Sequence, residues 1–324
     1  MIRVGVLGAA QIAPAALYEP ARETPGVEVL AVASRDPARA RAQAATYGVP
    51  RVCDYETLLA LSEIDAVYVP LPISLHHDWT LRALAAGKHV LCEKPFASNA
   101  AEARRMVAAA DAAGRVCAEA FHWRYHPLAA RIREVLAELG PVQEVEAGFT
   151  AEIDPSDAVR HSYRLSGGAL MDLGCYAVQW ARFVHGREPR VVSARMQEDE
   201  PRVDVAADVQ LAFPDGARGR LRVDMRAGVP RRAWLRVRCA AGELEVDNPL
   251  APHTGHELRW IREGVTTREE VPGRTTFHHQ LEAFVAAITN REPLPTGGDD
   301  AIATLDVLDA AYRAAGLPLR GEAR

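Results

Sequence analysis

Apolar and polar positions change their rhythm once along the chain. In the first part, short unbroken apolar runs alternate with longer amphipathic stretches. The runs are Ile2–Leu7, Val27–Ala33, Ala66–Val69, the segment around Val90, and Val116–Phe121. Between them lie stretches of helical spacing that end near Glu23, Tyr47, Leu61, Ala86 and Ala113. Unbroken apolar strands are buried on both faces, and strands separated by helices build a parallel, doubly wound α/β sheet. After a helix that begins behind Pro127 and ends near Leu139, the period becomes two. Arg218-Gly219-Arg220-Leu221-Arg222-Val223-Asp224-Met225 alternates charged with apolar residues, as a strand does in a sheet covered on one face. Val142–Phe149, Arg190–Met196, Val203–Phe213, Ala233–Cys239, Glu243–Val246, Glu257–Arg262 and Val265–Val271 read as further strands. Phe277–Thr289 and Asp299–Ala315 read as closing helices. Two domains follow: a doubly wound α/β domain over residues 1–122, and an α+β domain with a large, mostly antiparallel open sheet over 123–324. Such an open face needs covering, because large exposed apolar patches are rare on monomers. A homodimer or homotetramer is therefore expected.

Composition narrows the function. The 324 residues carry a formal net charge of -5, which argues against a broad nucleic-acid-binding surface. Cys53, Cys92, Cys117, Cys175 and Cys239 are scattered, without a C-x-x-C pair. That pattern suits free thiols in a reducing compartment. The chain enters a strand at Ile2 without the shape of a signal peptide, and no apolar run approaches membrane-spanning length. A cytoplasmic protein with neither a nucleic-acid nor a membrane partner is expected.

The chemistry concentrates at a few points. His89-Val90-Leu91-Cys92 runs into Glu93-Lys94-Pro95. Open α/β sheets bind ligands at the carboxyl ends of their strands. Pro95 also restricts Lys94 to extended geometry, so an ammonium group stands on a stiff mount at the sheet's mouth. Gly8-Ala9-Ala10-Gln11-Ile12-Ala13 follows the first strand where a dinucleotide-binding turn would lie, with Ala10 replacing its second glycine. A helix N-terminus there offers N–H groups to a pyrophosphate. Ser34 and Arg35 follow the second strand and Arg39 comes one turn later. An arginine here suits a 2′-phosphate, so NADP is favoured over NAD, while Asp36 leaves NAD open. Asp36 and Pro37 also read as N-cap and first residue of a helix. The turn holding Leu71, Pro72 and His76 sits at the same sheet edge, near a nicotinamide. Neither the adjacent His76-His77-Asp78 nor the set Glu119, His122 and His126 has good ligand spacing, and no metal is expected. In the second half, Ser166-Gly167-Gly168 leads to Asp172 and Tyr176, four apart at a helix entry. A lysine beside a tyrosine favours phenolate, a usable base for a hydroxyl proton.

Together, Gly8-Ala9-Ala10, the run Ala86–Pro95, Arg124-Tyr125-His126-Pro127 and Gly167–Tyr176 resemble the Gfo/Idh/MocA oxidoreductases over nearly the whole chain. A tyrosine at 176 is similar to the branch with dihydrodiol dehydrogenases, NADP-dependent D-xylose dehydrogenases and nucleotide-hexose ketoreductases. The resemblance implies a Rossmann domain, an NAD(P) cofactor, a cis peptide at Lys94-Pro95, and Lys94, Asp172 and Tyr176 as catalytic residues. It places the cofactor against Gly8, Ala9, Ala10, Gln11, Ile12, Ser34, Arg35, Arg39, Leu71, Pro72, His76, Glu93, Lys94, Trp123 and Arg124. The implied reaction moves a hydride between nicotinamide and a hydroxyl or carbonyl carbon of a sugar or cyclic diol, a small carbohydrate-like substrate. The alternatives are a nucleotide-sugar ketoreductase, with Arg160, Arg164, Arg231 and Arg232 as candidate contacts, and a cofactor-binding regulator without turnover.

Overall fold

A computed structural model describes residues 1–322. Two compact units emerge, and neither is one continuous stretch of chain. The first comprises Met1–Tyr125 with Phe277–Ile302; the second comprises His126–Thr276 with the segment that begins at Ala303.

The first unit is a six-stranded sheet of β1 (Ile2–Leu7), β2 (Val27–Ala33), β3 (Arg51–Cys53), β4 (Ala66–Val69), β5 (His89–Cys92) and β6 (Cys117–Glu119). Its order is β3-β2-β1-β4-β5-β6, with every pairing parallel. Helices α1 (Glu19–Glu23), α2 (Pro37–Tyr47), α3 (Tyr55–Ala60), α4 (His76–Ala85) and α5 (Ala100–Ala113) connect the strands. This is the doubly wound order, which reverses between β1 and β4 and leaves a ligand crevice at the carboxyl ends there. Val6, Ala31, Val32, Val67 and Tyr68 are completely buried, as strands covered on both faces must be.

Three features differ from the sequence expectation. The stretch before α1 opens as a π-helical turn, Pro14–Tyr18, with Pro14 at its start, where a missing N–H is harmless. β3 was not expected; it is three residues long, with Arg51 and Val52 exposed at the sheet edge. The third is the return of 277–302 to a unit expected to end near residue 122. Leu281 and Phe284, from the helix Thr276–Asn290, join its apolar core. Glu119 N–H donates to the Thr296 carbonyl at 3.1 Å, and Ala118 bridges Gly297. This segment thus pairs edge strand β6, whose polar groups would otherwise need another partner.

The second unit is an eight-stranded sheet. Its strands are β7 (Val142–Thr150), β8 (Arg190–Glu200), β9 (Val203–Ala212), β10 (Arg218–Asp224), β11 (Arg232–Cys239), β12 (Gly242–Asp247), β13 (Glu257–Arg262) and β14 (Val265–Glu269). The order is β14-β13-β12-β11-β7-β10-β9-β8, antiparallel except where β7 runs parallel to β10. One face packs against α6 (Pro127–Leu139), α7 (Cys175–His185) and the π-helical turn Leu170–Gly174. The opposite face is a lattice of ion pairs, not the apolar surface anticipated from the alternation. Arg220 pairs with Asp208, Arg238 Nη2 meets Glu144 at 2.7 Å, and Arg222 lies within 4 Å of both Glu146 and Asp208. The charged half of each alternating strand supplies both signs to it.

Candidate active site

The Glu93-Lys94-Pro95 mount is built from β4 and β5. Val90, Leu91 and Cys92 are buried, while Glu93 and Lys94 emerge half-buried at the strand's end. Tyr68, from the middle of β4, donates its hydroxyl to Glu93 Oε1 at 2.5 Å, and the Lys94 N–H donates to Glu93 Oε2 at 3.2 Å. Glu93 is thus a tether between two strands. The Lys94-Pro95 peptide is cis. Beyond it, Phe96 N–H donates to Glu119 Oε1 at 2.8 Å. The His76 ring, 1% exposed, spans two backbone carbonyls: Nε2 lies 2.7 Å from Leu71 O and Nδ1 2.9 Å from Pro95 O. Burial pushes its pKa below the ordinary histidine value, against the opposing pull of the carbonyls and Glu102. His76 thus belongs to the frame of the lysine mount, binding the turn after β4 to the loop after β5. Neutral, as its burial favours, the ring has a single N–H to donate to one of these carbonyls.

Beside this mount, Gly8 adopts φ +124°, and a Cβ on it would stand 3.0 Å from the Leu71 side chain. Only glycine makes this turn without strain. Ala9 is buried, Ala10 half-buried, and Gln11 and Ile12 are exposed. The Ala10 carbonyl accepts from Gln43 Nε2 at 2.9 Å, which anchors the loop to α2. At the end of β2, Asp36 Oδ1 accepts from the N–H groups of Ala38 and Arg39 at 2.9 and 3.2 Å, so this carboxylate caps α2. Ser34 Oγ accepts from Asp36 N–H at 3.1 Å. Arg35 and Arg39 are exposed, and neither side chain has an acid partner among the described residues. Two uncommitted cations beside a committed carboxylate fit a phosphate on the ribose 2′-oxygen better than a free 2′-hydroxyl.

Trp123 is buried, with Arg124 5.5 Å from its ring centre. Glu119 and His126 have backbone duties, His126 Nδ1 accepting the Leu128 N–H at 3.1 Å as the N-cap of α6. Among the described residues no group of three His, Cys, Asp or Glu side chains could hold a metal ion.

In the second unit, Asp172 lies in the π-helical turn Leu170–Gly174, and Tyr176 one turn later on α7. Tyr176 is 5% exposed and packs edge-on against Phe149 of β7 and beside Trp180, both at 5.9 Å between ring centres. Asp172 Oδ2 accepts from Arg160 Nε at 2.7 Å, while Arg160 Nη1 donates to Asp157 at 2.7 Å. The charge of Asp172 holds the Arg160 guanidinium above its ordinary pKa. Arg160 is thereby a partner of the proposed catalytic carboxylate, a role its position in the sequence did not disclose. Tyr68 likewise went unnoticed inside an apolar strand; its one signal was a hydroxyl on an otherwise purely apolar run.

Residues 2–121 match a family described as an oxidoreductase family with an NAD-binding Rossmann fold, and residues 129–245 match the GFO/IDH/MocA C-terminal domain. The chain belongs to the Gfo/Idh/MocA family. As such it is an NAD(P)-dependent oxidoreductase. It is 35% identical over 317 residues to the D-xylose 1-dehydrogenase (NADP(+)) 2 of Haloferax volcanii, covering 96% of each chain. It is 36% identical to the dTDP-3,4-didehydro-2,6-dideoxy-alpha-D-glucose 3-reductase of Streptomyces violaceoruber, across 88% of this chain and 84% of that one. Among solved structures, a 3-ketoreductase from Actinomadura kijaniata in complex with NADP and TDP-benzene aligns with a TM-score of 0.91 at 30% identity, over 97% of each chain. The Gfo/Idh/MocA match accounts for both sheets, the parallel one and the open one.

Proposed function

We propose that this oxidoreductase uses NADP(H) and acts on a hydroxyl or carbonyl carbon of a sugar or cyclic diol. The observation that carries the reading is the lysine mount: Lys94 stands at the carboxyl end of an interior parallel strand, next but one to the strand that feeds Gly8. When bound, NADP(H) supplies or accepts the hydride at carbon 4 of its nicotinamide. Arg35 and Arg39 hold the 2′-phosphate, and the Gly8 turn lets the backbone approach the pyrophosphate. Tyr176 exchanges the proton of the reacting hydroxyl. Lys94 donates to the reacting oxygen, while Asp172 orients the substrate. These are the proposed catalytic three, and alignment with charge placement is what the protein contributes.

A nucleotide-sugar ketoreductase is the second reading. Arg231 favours it: it is exposed, has no acid partner among the described residues, and lies 5.2 Å from the ring centre of Phe149, which packs on Tyr176. Of the other arginines considered, Arg160 is committed to Asp157 and Asp172, and Arg232 to Asp247. A cytoplasmic homodimer or homotetramer completes the proposal. Its assembly is supported by a groove of about 640 Å³ along the outer face of the open sheet, where Met196, Val229 and Pro230 interrupt the charges.

The deciding experiment is a screen of NADP+ reduction with aldoses and dihydrodiols, run beside NADPH oxidation with keto-sugars and nucleotide keto-sugars. Turnover of a free sugar or diol supports the first reading. Turnover confined to nucleotide sugars supports the second, and no turnover in any arm would count against both substrate readings.

A further inference from the structure

The most heavily buried ion pair in the second unit joins Arg320 to Asp204; both side chains are 0% exposed, with Arg320 Nη2 2.6 Å from Asp204 Oδ1. Taking two charges out of water is expensive, and such a pair is rarely a net source of stability. Its other bonds show what it holds. Arg320 Nε donates to the Gly167 carbonyl at 2.7 Å, and Asp204 Oδ2 accepts the Leu170 N–H at 2.7 Å. The two charges therefore grip the backbone on either side of Gly168 and Ala169. Tyr312 donates its hydroxyl to Asp204 Oδ1 at 2.8 Å, and the guanidinium lies 4.2 Å from that ring's centre. Tyr163 anchors the same segment by donating to the Leu319 carbonyl at 2.7 Å.

The gripped backbone leads straight to the proposed catalytic residues. Asp172 N–H donates to the Gly168 carbonyl at 3.0 Å, inside the bracket. Gly168 sits at φ +135°, and a Cβ on it would lie 2.2 Å from Asp204 Oδ1 and 2.8 Å from Arg320 Nη2. The glycine is what allows the charges to nest against the turn. From there the chain enters the π-helical turn with Asp172 and then α7 with Tyr176.

We propose that Arg320 and Asp204 are positioning residues, a buried clamp that sets the orientation of Asp172 and Tyr176 for proton exchange. This rests on the reading of Asp172 and Tyr176 as catalytic. Arg320→Lys keeps the charge and loses the planar fork that reaches Gly167 and Asp204 together. Misplacing catalytic groups by about 1 Å costs about 100-fold in rate. The expected result is therefore a kcat about 100-fold lower, with NADPH affinity and substrate KM within about threefold of wild type. A fall in kcat at an unchanged KM is a split that a merely structural role would not produce. Tyr312→Phe removes one hydrogen bond from the clamp and should lower kcat about threefold or more, again with KM unchanged. If Arg320→Lys does not fold, Tyr312→Phe decides alone. A lowered melting temperature with kcat unchanged would show a purely structural pair and overturn the proposal. Tyr176→Phe separates the two layers. Normal turnover in that variant removes the catalytic reading itself, whereas a strong loss there beside normal clamp variants removes only the clamp.

Discussion

Replacing Arg35 by alanine tests the cofactor assignment most directly. Arg35 is exposed at the end of β2 and has no acid partner among the described residues, so the substitution breaks no ion pair of the free protein. What it removes is a contact to a charged ligand. Hydrogen bonds to charged groups contribute about 1.5–3 kcal/mol. At about 1.4 kcal/mol per factor of ten, NADP+ affinity should fall about 10- to 100-fold. Arg39 remains to hold part of the phosphate, which favours the lower end. NAD+ lacks the 2′-phosphate and should bind within about twofold of its original strength, losing only stacking on the adenine. Because the site is exposed, the NADP+ loss should shrink as ionic strength rises past about 0.1 M, where the Debye length is about 10 Å. Titration calorimetry with each cofactor at two salt concentrations measures all of this. Equal losses for the two cofactors would reduce Arg35 to an adenine-stacking residue, and a wild-type preference for NAD+ would refute the reasoning altogether.

Tyr176→Phe preserves the ring that packs on Phe149 and Trp180, so the melting temperature and NADPH affinity should hold while turnover falls about 100- to 10,000-fold; normal steady-state turnover would send the search for a proton carrier to His122 and His126. A Cβ at Gly148 would come within 2.1 Å of the Trp234 ring, so Gly148→Ala should lower stability by about 1–3 kcal/mol. An unchanged urea midpoint would contradict that packing. The depressed pKa of buried His76 means that the unfolded chain takes up its proton first as pH falls. The stability due to neutral His76 is complete above about pH 6.5 and declines below it through the folded pKa. Thermal melts from pH 7.5 to 5 should therefore fall less steeply in His76→Gln than in wild type, and parallel curves would exclude His76 as the titrating group. Sedimentation at micromolar concentration should show a dimer or larger, and a monomer would end that proposal.

The amino-acid pattern alone determined whatever depends on neighbours a few residues away. Val27–Ala33, Ala66–Val69 and Glu257–Arg262 appear as strands at the expected residues, because burial on one or both faces is written into period and composition. Lys94 before Pro95 at a strand end, Asp36 capping α2, and Asp172 and Tyr176 at a helix entry were visible for the same reason. Arg51–Cys53 was not, since three residues at an exposed edge carry no period. The charged outer face of the open sheet was only half visible: alternation told which residues face outward, and the register of β7, β9 and β10 decided which charges meet. Tertiary structure alone made Arg160 the partner of Asp172, drew residues 277–302 back to the parallel sheet, and brought Arg320 to Asp204 across 116 positions. No local propensity encodes such pairings, because their free energy comes from burial and hydrogen bonding that exist only after distant segments have packed.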